Sequence, residues 1–313
     1  MANAAYIPNL NSANVSVINT DTDTVTTTIA TRSFPEGFAV TPDGAKAYVT
    51  TSADAHVVVI DTATNTVSTQ ISTGLGSNAT GVAISPDGGT AYVTDSNGGK
   101  ADVIDTASNT VTGSITVGNV PQGVAFTPDG AKAYVANFND GTVSVIDTAT
   151  QTVSKTITVG NEPSYLEVSP DGTKVYVPNN SDGTVSVIDT STDTVSSTIT
   201  VGNGPRAAAF TPDGKKAYVT NVTDGTVSVI DVASHTVSTT VSVGTDPEGM
   251  AITTDGSKAY VANANSNNVS VINTSTDTVS TTVSVGTSPY AFGNSTKPAG
   301  SPTASTGFIT NWW

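Results

Sequence analysis

The sequence predicts an all-β chain, a seven-bladed propeller of four-stranded antiparallel blades, and three observations predict it. An aromatic mark recurs as YIPN at Tyr6, YVTT at Tyr48, YVTD at Tyr92, YVAN at Tyr134, YVPN at Tyr176, YVTN at Tyr218 and YVAN at Tyr260, in steps of 42, 44, 42, 42, 42 and 42 residues. Each repeat holds four short runs of apolar and polar residues divided by turn residues. No window carries a helical period. A fixed period of about forty marks an array of units that are each too small to bury their own apolar face. Four strands per unit is the pattern of a propeller blade.

Residues 121–160 serve as the type repeat. Gly123 to Phe126 is a short strand with small residues at alternate positions, strand A, suited to a crowded axis. It ends in Thr127-Pro128-Asp129-Gly130, where proline presets one turn position and glycine accepts the left-handed one. Lys132 to Ala136 forms strand B, and Asn139-Asp140-Gly141 reads as a primed hairpin turn. Thr142 to Ile146 alternates as strand C. Asp147 to Gln151 turns the chain again, and Thr152 to Val159 supplies strand D, whose Ser/Thr content suits an outer edge facing water.

The chain begins with strand B of one blade and ends with strand A of the same blade near Ala291 to Gly293, so the ring is expected to close there. That places one propeller domain over residues 1–293. A Pro/Ser/Thr-rich tail follows over 294–313, carrying an extra FITN mark and two terminal tryptophans. Phe308, Ile309, Trp312 and Trp313 are candidates for an interface: the segment either folds back on the propeller or adds to a neighbouring molecule.

Composition narrows the function. Apolar residues make up 36% of the chain, enough for a distributed core, and charged residues only 12%. The formal charge of −15 repels phosphate backbones and anionic membranes, which argues against nucleic acid as a partner. No stretch has the apolar length of a membrane span, and the first residues lack the basic and apolar regions of a signal peptide. There is no cysteine, hence neither a disulfide nor a thiolate metal site.

The marks PxG, TPDG, YVxN and VSVID, repeated from about residue 3 to residue 293, resemble the YVTN family of seven-bladed propellers known from archaeal and bacterial surface-layer proteins. The resemblance implies the propeller fold and an extracellular or cell-surface location. The Gly-His and Trp-Asp marks of WD repeats are missing.

Function has to be sought where the repeats disagree. In a propeller the D–A and B–C loops share one rim, and the A–B and C–D loops share the other. The glutamates Glu36, Glu162, Glu167 and Glu248 and the arginines Arg32 and Arg206 fall on the D–A loop or strand A. Lys46, Lys132, Lys174, Lys215, Lys216 and Lys258 follow the TPDG turn, on the opposite rim. The residue after the loop proline changes in every repeat, as Glu36, Thr80, Gln122, Ser164, Arg206, Glu248 and Tyr290. Variation confined to one rim of a monotonous scaffold is what a binding surface presents; drift of a solvent-exposed loop is the plainer reading.

Repeat four departs furthest, with Tyr165 and Glu167 where other repeats carry small residues. A carboxylate among the central strands needs a partner or water, and Arg206 on the next blade is the expected partner. The candidate binding rim is therefore Glu36, Gln122, Tyr165, Glu167, Arg206, Glu248 and Tyr290.

The leading expectation is a non-enzymatic surface scaffold that binds a protein or glycan through this rim, with no cofactor and no metal. One alternative is a lactonase-like hydrolase or lyase, with Glu167 and Glu248 as acid and base and Arg206 stabilising an anion. Another is a structural subunit that self-assembles through the tail. His56 and His235 fall on opposite rims and share no metal site. Asp140-Gly141, Asp182-Gly183 and Asp224-Gly225 offer one carboxylate each, which suits turns better than calcium loops.

Overall fold

The computed structural model describes residues 4–74 and 78–290 and the backbone of 296–297. Seven four-stranded antiparallel sheets are present, each with the order A-B-C-D from one edge to the other. In blade 1 the strands are Pro35–Val40, Lys46–Thr51, His56–Asp61 and Thr66–Ser72. In blade 3 they are Pro121–Phe126, Lys132–Asn137, Thr142–Asp147 and Thr152–Thr158, within two residues of the expected bounds. Blades 2, 5 and 6 repeat the plan, starting at Ala79, Pro205 and Pro247. In blade 4, strand A shrinks to Glu167–Val168.

Blade 7 is built from both ends of the chain. Ala4–Asn9, Asn14–Asn19 and Thr24–Ala30 form its B, C and D strands, and Thr296–Lys297 pairs with Ala4 and Ala5. An antiparallel bridge joins Asn9 to Pro289, and Tyr290 N–H donates to Pro8 O at 2.8 Å. The expected closing residues Ala291 to Gly293 and the tail with Phe308, Ile309, Trp312 and Trp313 lie outside the described residues.

The apolar core is distributed between blades. Tyr134, Val143, Val145 and Ile157 of blade 3 pack against Leu166, Val168, Val175 and Val177 of blade 4, and each neighbouring pair of blades repeats this. At the closing junction Tyr6 stacks on Phe38 with ring centroids 5.2 Å apart. Strands B and C are almost wholly buried, whereas strand D alternates exposed and half-buried Ser and Thr, as an outer edge should.

Two turns show how local chemistry sets the plan. In the TPDG turn, Asp43 Oδ1 accepts from Thr41 Oγ1 at 2.6 Å and from Ala45 N at 2.9 Å, while Gly44 adopts φ 67. The Asn-Asp-Gly turn differs from the expected two-residue hairpin. Phe138–Asp140 forms a short 3-10 turn that Gly141 ends at φ 62. The extra residues let Asp140 reach back to the preceding D–A loop, where its carboxylate accepts from Asn119 N and Asn119 Nδ2, both at 2.8 Å. Asp182 and Asp224 do the same for Asn161 and Asn203, so these acids stitch rim loops together.

Candidate functional site at the channel mouth

Strand A begins at the D–A rim, so the residue after each loop proline stands beside the axis. Five predicted side chains meet there. Tyr165 Oη donates to Glu36 Oε1 at 2.8 Å, reaching from blade 4 across to blade 1. Arg206 Nε lies 3.1 Å from Glu248 Oε2, and the guanidinium carbon is 5.6 Å from the centroid of the Tyr165 ring. Tyr290 Oη donates to Glu248 Oε1 at 3.4 Å, and its ring packs with Tyr165 and Ala207. Together these groups form one connected cluster across the axis at this rim, here called the plug.

Tyr165 gets there by breaking the repeat. Its counterparts Gly37 and Gly81 sit so close to the next blade that an added Cβ would come within 2.3 Å of a backbone oxygen, Thr80 O or Gln122 O. A tyrosine fits only if the backbone leaves that path. It does: Tyr165 N–H donates to Arg206 O at 3.0 Å and Ala208 N–H to Tyr165 O at 3.2 Å, a parallel bridge to blade 5. This detour is why strand A of blade 4 is short.

The plug carries two acids and one guanidinium. Burial pushes the Glu36 carboxyl up, opposed by the Tyr165 hydroxyl and by Arg206. Burial also pushes Glu248 up, opposed by Arg206 and reinforced by Asp246 and Glu36. The Tyr165 hydroxyl is raised well above its ordinary value by burial and by Glu36, which keeps it a hydrogen-bond donor. The acids are thus held by tyrosine hydroxyls and a guanidinium, an arrangement that orders the mouth.

Two of the predicted residues stand apart from this cluster. Gln122 lies on the same ring, but its Oε1 is buried without a hydrogen-bond partner. Glu167 does not meet Arg206 as expected: Arg206 is taken by Glu248, and Glu167 lies two residues further down strand A, on the far side of the Tyr165 plug. Burial alone lifts its carboxyl to about 7. The loop-proline positions Thr80 and Ser164 serve the scaffold, Thr80 through Thr94 at 2.9 Å and Ser164 through Arg206 O at 2.6 Å.

Sequence reasoning missed a second rim feature, on blade 1. Phe34 is 43% exposed at φ 57, one residue before the loop proline, where other repeats carry Val120, Glu162, Gly204, Asp246 and Ser288. Beside it Arg32 pairs with Asp54 and donates from Nη1 to Gln70 Oε1 at 2.7 Å. His56 Nδ1 lies 2.6 Å from Asp54 O. The signal was present in the sequence, as an aromatic in a loop seat that is otherwise never aromatic.

Comparison with known proteins places the architecture. The choice-of-anchor I domain model matches residues 138–297, slightly more than half of the chain. Hydrazine synthase of Kuenenia stuttgartiensis contains a chain that superposes with a TM-score of 0.78 at 27% identity, over 87% of this chain and 92% of that one. A functionally unknown protein from Desulfotomaculum acetoxidans superposes at 0.79 with 18% identity, over 93% of this chain and 100% of that one, a likeness of fold. No curated protein matches.

Proposed function

The chain belongs to the choice-of-anchor I domain family, and from that premise we propose that it is a non-enzymatic cell-surface or extracellular scaffold that holds a protein or glycan partner on its D–A/B–C rim. The family's name and the YVTN-type resemblance to surface-layer proteins support the location. The observation that carries the reading is the plug: the variable acids of the mouth are engaged by Tyr165, Arg206 and Tyr290. An acid–base pair of Glu167 and Glu248 would need both carboxylates turned to one substrate, whereas Glu248 is engaged by Arg206 and Tyr290 and Glu167 lies in the chamber beyond Tyr165.

With these side chains engaged with one another across the axis, partner contact falls to the surrounding loops. Blade 1 offers the best footing, an exposed aromatic, Phe34, beside the Arg32–Asp54–Gln70 group. A flat ring flanked by planar hydrogen-bonding groups suits a sugar face or a peptide side chain equally. The test is retention of the intact chain on a glycan array and on a panel of immobilised extracellular proteins. Binding that falls at least tenfold in Phe34→Ala and Arg32→Ala supports the reading. Turnover of lactones that disappears in Glu248→Gln, with no rim-dependent binding, would overturn it.

A further inference from the structure

Below the plug the axis widens into a chamber of about 220 Å³. Its described lining runs from Tyr165 at the plugged end to Pro212 and Thr254 of the A–B turns at the other, so it opens toward the rim opposite the one discussed above. We propose that this chamber binds a small organic monocation, an alkyl- or arylammonium, with Glu167 as its counter-ion.

Charge is the first argument. Glu167 is the one charged side chain in the described lining, and its counterparts on other strands A are Ala39, Ala83, Ala125, Ala209 and Ala251. Taking a carboxylate out of bulk water is costly unless something compensates it. Among the described residues nothing does. No hydrogen bond or ion pair from a described residue engages the Glu167 side chain, and desolvation alone acts on its titration, with no described charged group on blades 3, 5 or 6 or on strand B of its own blade bearing on it. The carboxylate faces a cavity that can hold its partner.

The walls select the partner's class. Val124, Leu166, Phe210, Met250 and Ile252 give the chamber apolar faces. Each strand A is the terminal strand of its sheet, so one edge of its backbone faces the axis and presents carbonyl acceptors. A calcium or magnesium ion asks for several carboxylates or an ordered set of waters, and a single acid between apolar walls does not supply them. An ammonium group on a short apolar body uses all three features: the charge, the carbonyls and the walls.

The experiment titrates the intact chain with n-butylammonium, and with butyrate as the control of opposite charge, followed by calorimetry. Because burial holds Glu167 protonated up to about 7, cation affinity should rise with pH. It is expected to be more than tenfold tighter near pH 8 than near pH 5.5. Butyrate should not bind at either pH.

Glu167→Gln should abolish butylammonium binding. Ala251→Leu, which narrows the chamber and keeps the acid, should weaken it severely, and it tests the site even if the first variant folds poorly. Phe34→Ala should leave it unchanged, so failure here is separable from failure of the rim reading. No binding near pH 8, binding independent of pH, or full binding in a folded Glu167→Gln would each overturn the proposal.

Discussion

Asp102 stands where five other blades place Ser16, Ser144, Ser186, Ser228 and Ser270, and Asp95 stands where the same blades place Asn9, Asn137, Asn179, Asn221 and Asn263. In each of those five the amide nitrogen donates to the serine hydroxyl at 2.9 Å. Blade 2 replaces this neutral pair with two carboxylates, each only 1% exposed, and Asp102 Oδ2 has no hydrogen-bond partner. Two acceptors do not satisfy each other without a proton. Burial, and then the charge of Asp95, push the Asp102 carboxyl up to about 7 against the pull of Lys100. A folded pKa above the unfolded one gives stability that is present in acid and lost as pH rises through about 7. Asp102→Ser should therefore be close to neutral near pH 5 and stabilising by roughly 1–3 kcal/mol near pH 8. Urea midpoints at the two pH values check this; an equal gain at both would mean that no proton is held in the pair. The anomaly was readable in the aligned repeats, but its meaning was not. Residues 95 and 102 meet only through the B–C register, which sets Asp95 opposite Lys100 and Asp102 opposite Val93.

Neighbouring blades are joined by a latch that the sequence marked without explaining. In five blades the tyrosine of strand B donates to the C–D turn of the next blade. Tyr134 Oη donates to Asp193 Oδ1 at 2.6 Å, and Lys132 Nζ reaches the same carboxylate at 2.7 Å. Tyr218 and Lys216 share Asp277 in the same way, and Tyr260 and Lys258 share Asp23. Asn109 and Asn65 play the part for Tyr48 and Tyr6. Four of the lysines placed on that rim by spacing alone, Lys46, Lys132, Lys216 and Lys258, prove to be ties between blades. Every latch seat has positive φ, between 52 and 55 at Asp193, Asp277, Asp23, Asn109 and Asn65, where Asn and Asp are the easiest non-glycine residues. The latch fails between blades 4 and 5. His235 holds the seat at φ 55, its Nδ1 lies 2.8 Å from Ser197 Oγ, Lys174 turns to Asp189 of its own blade, and the Tyr176 hydroxyl is buried without a partner. His235→Asp restores an acceptor for Tyr176 and should raise stability by about 1 kcal/mol, since a buried unsatisfied hydroxyl costs roughly that or more. Chemical denaturation checks it, and Tyr176→Phe supplies the control: in that background the gain should largely vanish. The strands and turns were legible because they depend on near neighbours in sequence. The latch spans 59 residues in one instance and 237 in another, and only the closed ring brings its halves together.

Closure is what turns these local devices into one cooperative body. Each apolar core is shared by two blades, so a missing neighbour exposes a face that no other element covers. Blade 7 is the weak point, because its strand A comes from the far end of the chain. The described closing contacts made by residues 288–297 include the pairing of Thr296–Lys297 with Ala4–Ala5, the Asn9–Pro289 bridge, the Tyr290-to-Pro8 hydrogen bond and the Leu10-to-Ser288 hydrogen bond. Tyr290 also completes the plug through Glu248. Deleting residues 288–313 removes all of these and leaves strand B of blade 7 as an open edge, the kind of edge that invites pairing with other chains. With each backbone hydrogen bond worth about 1 kcal/mol net, the loss should be several kcal/mol. The shortened chain should unfold at clearly lower urea and associate as its concentration rises. Deleting only 303–313 spares every described closing contact, which all lie at or before Lys297. That variant should keep the parent midpoint. Equal losses in the two deletions would place the closure in the last eleven residues, and no loss in either would mean that the seven inter-blade cores hold the ring without a clasp.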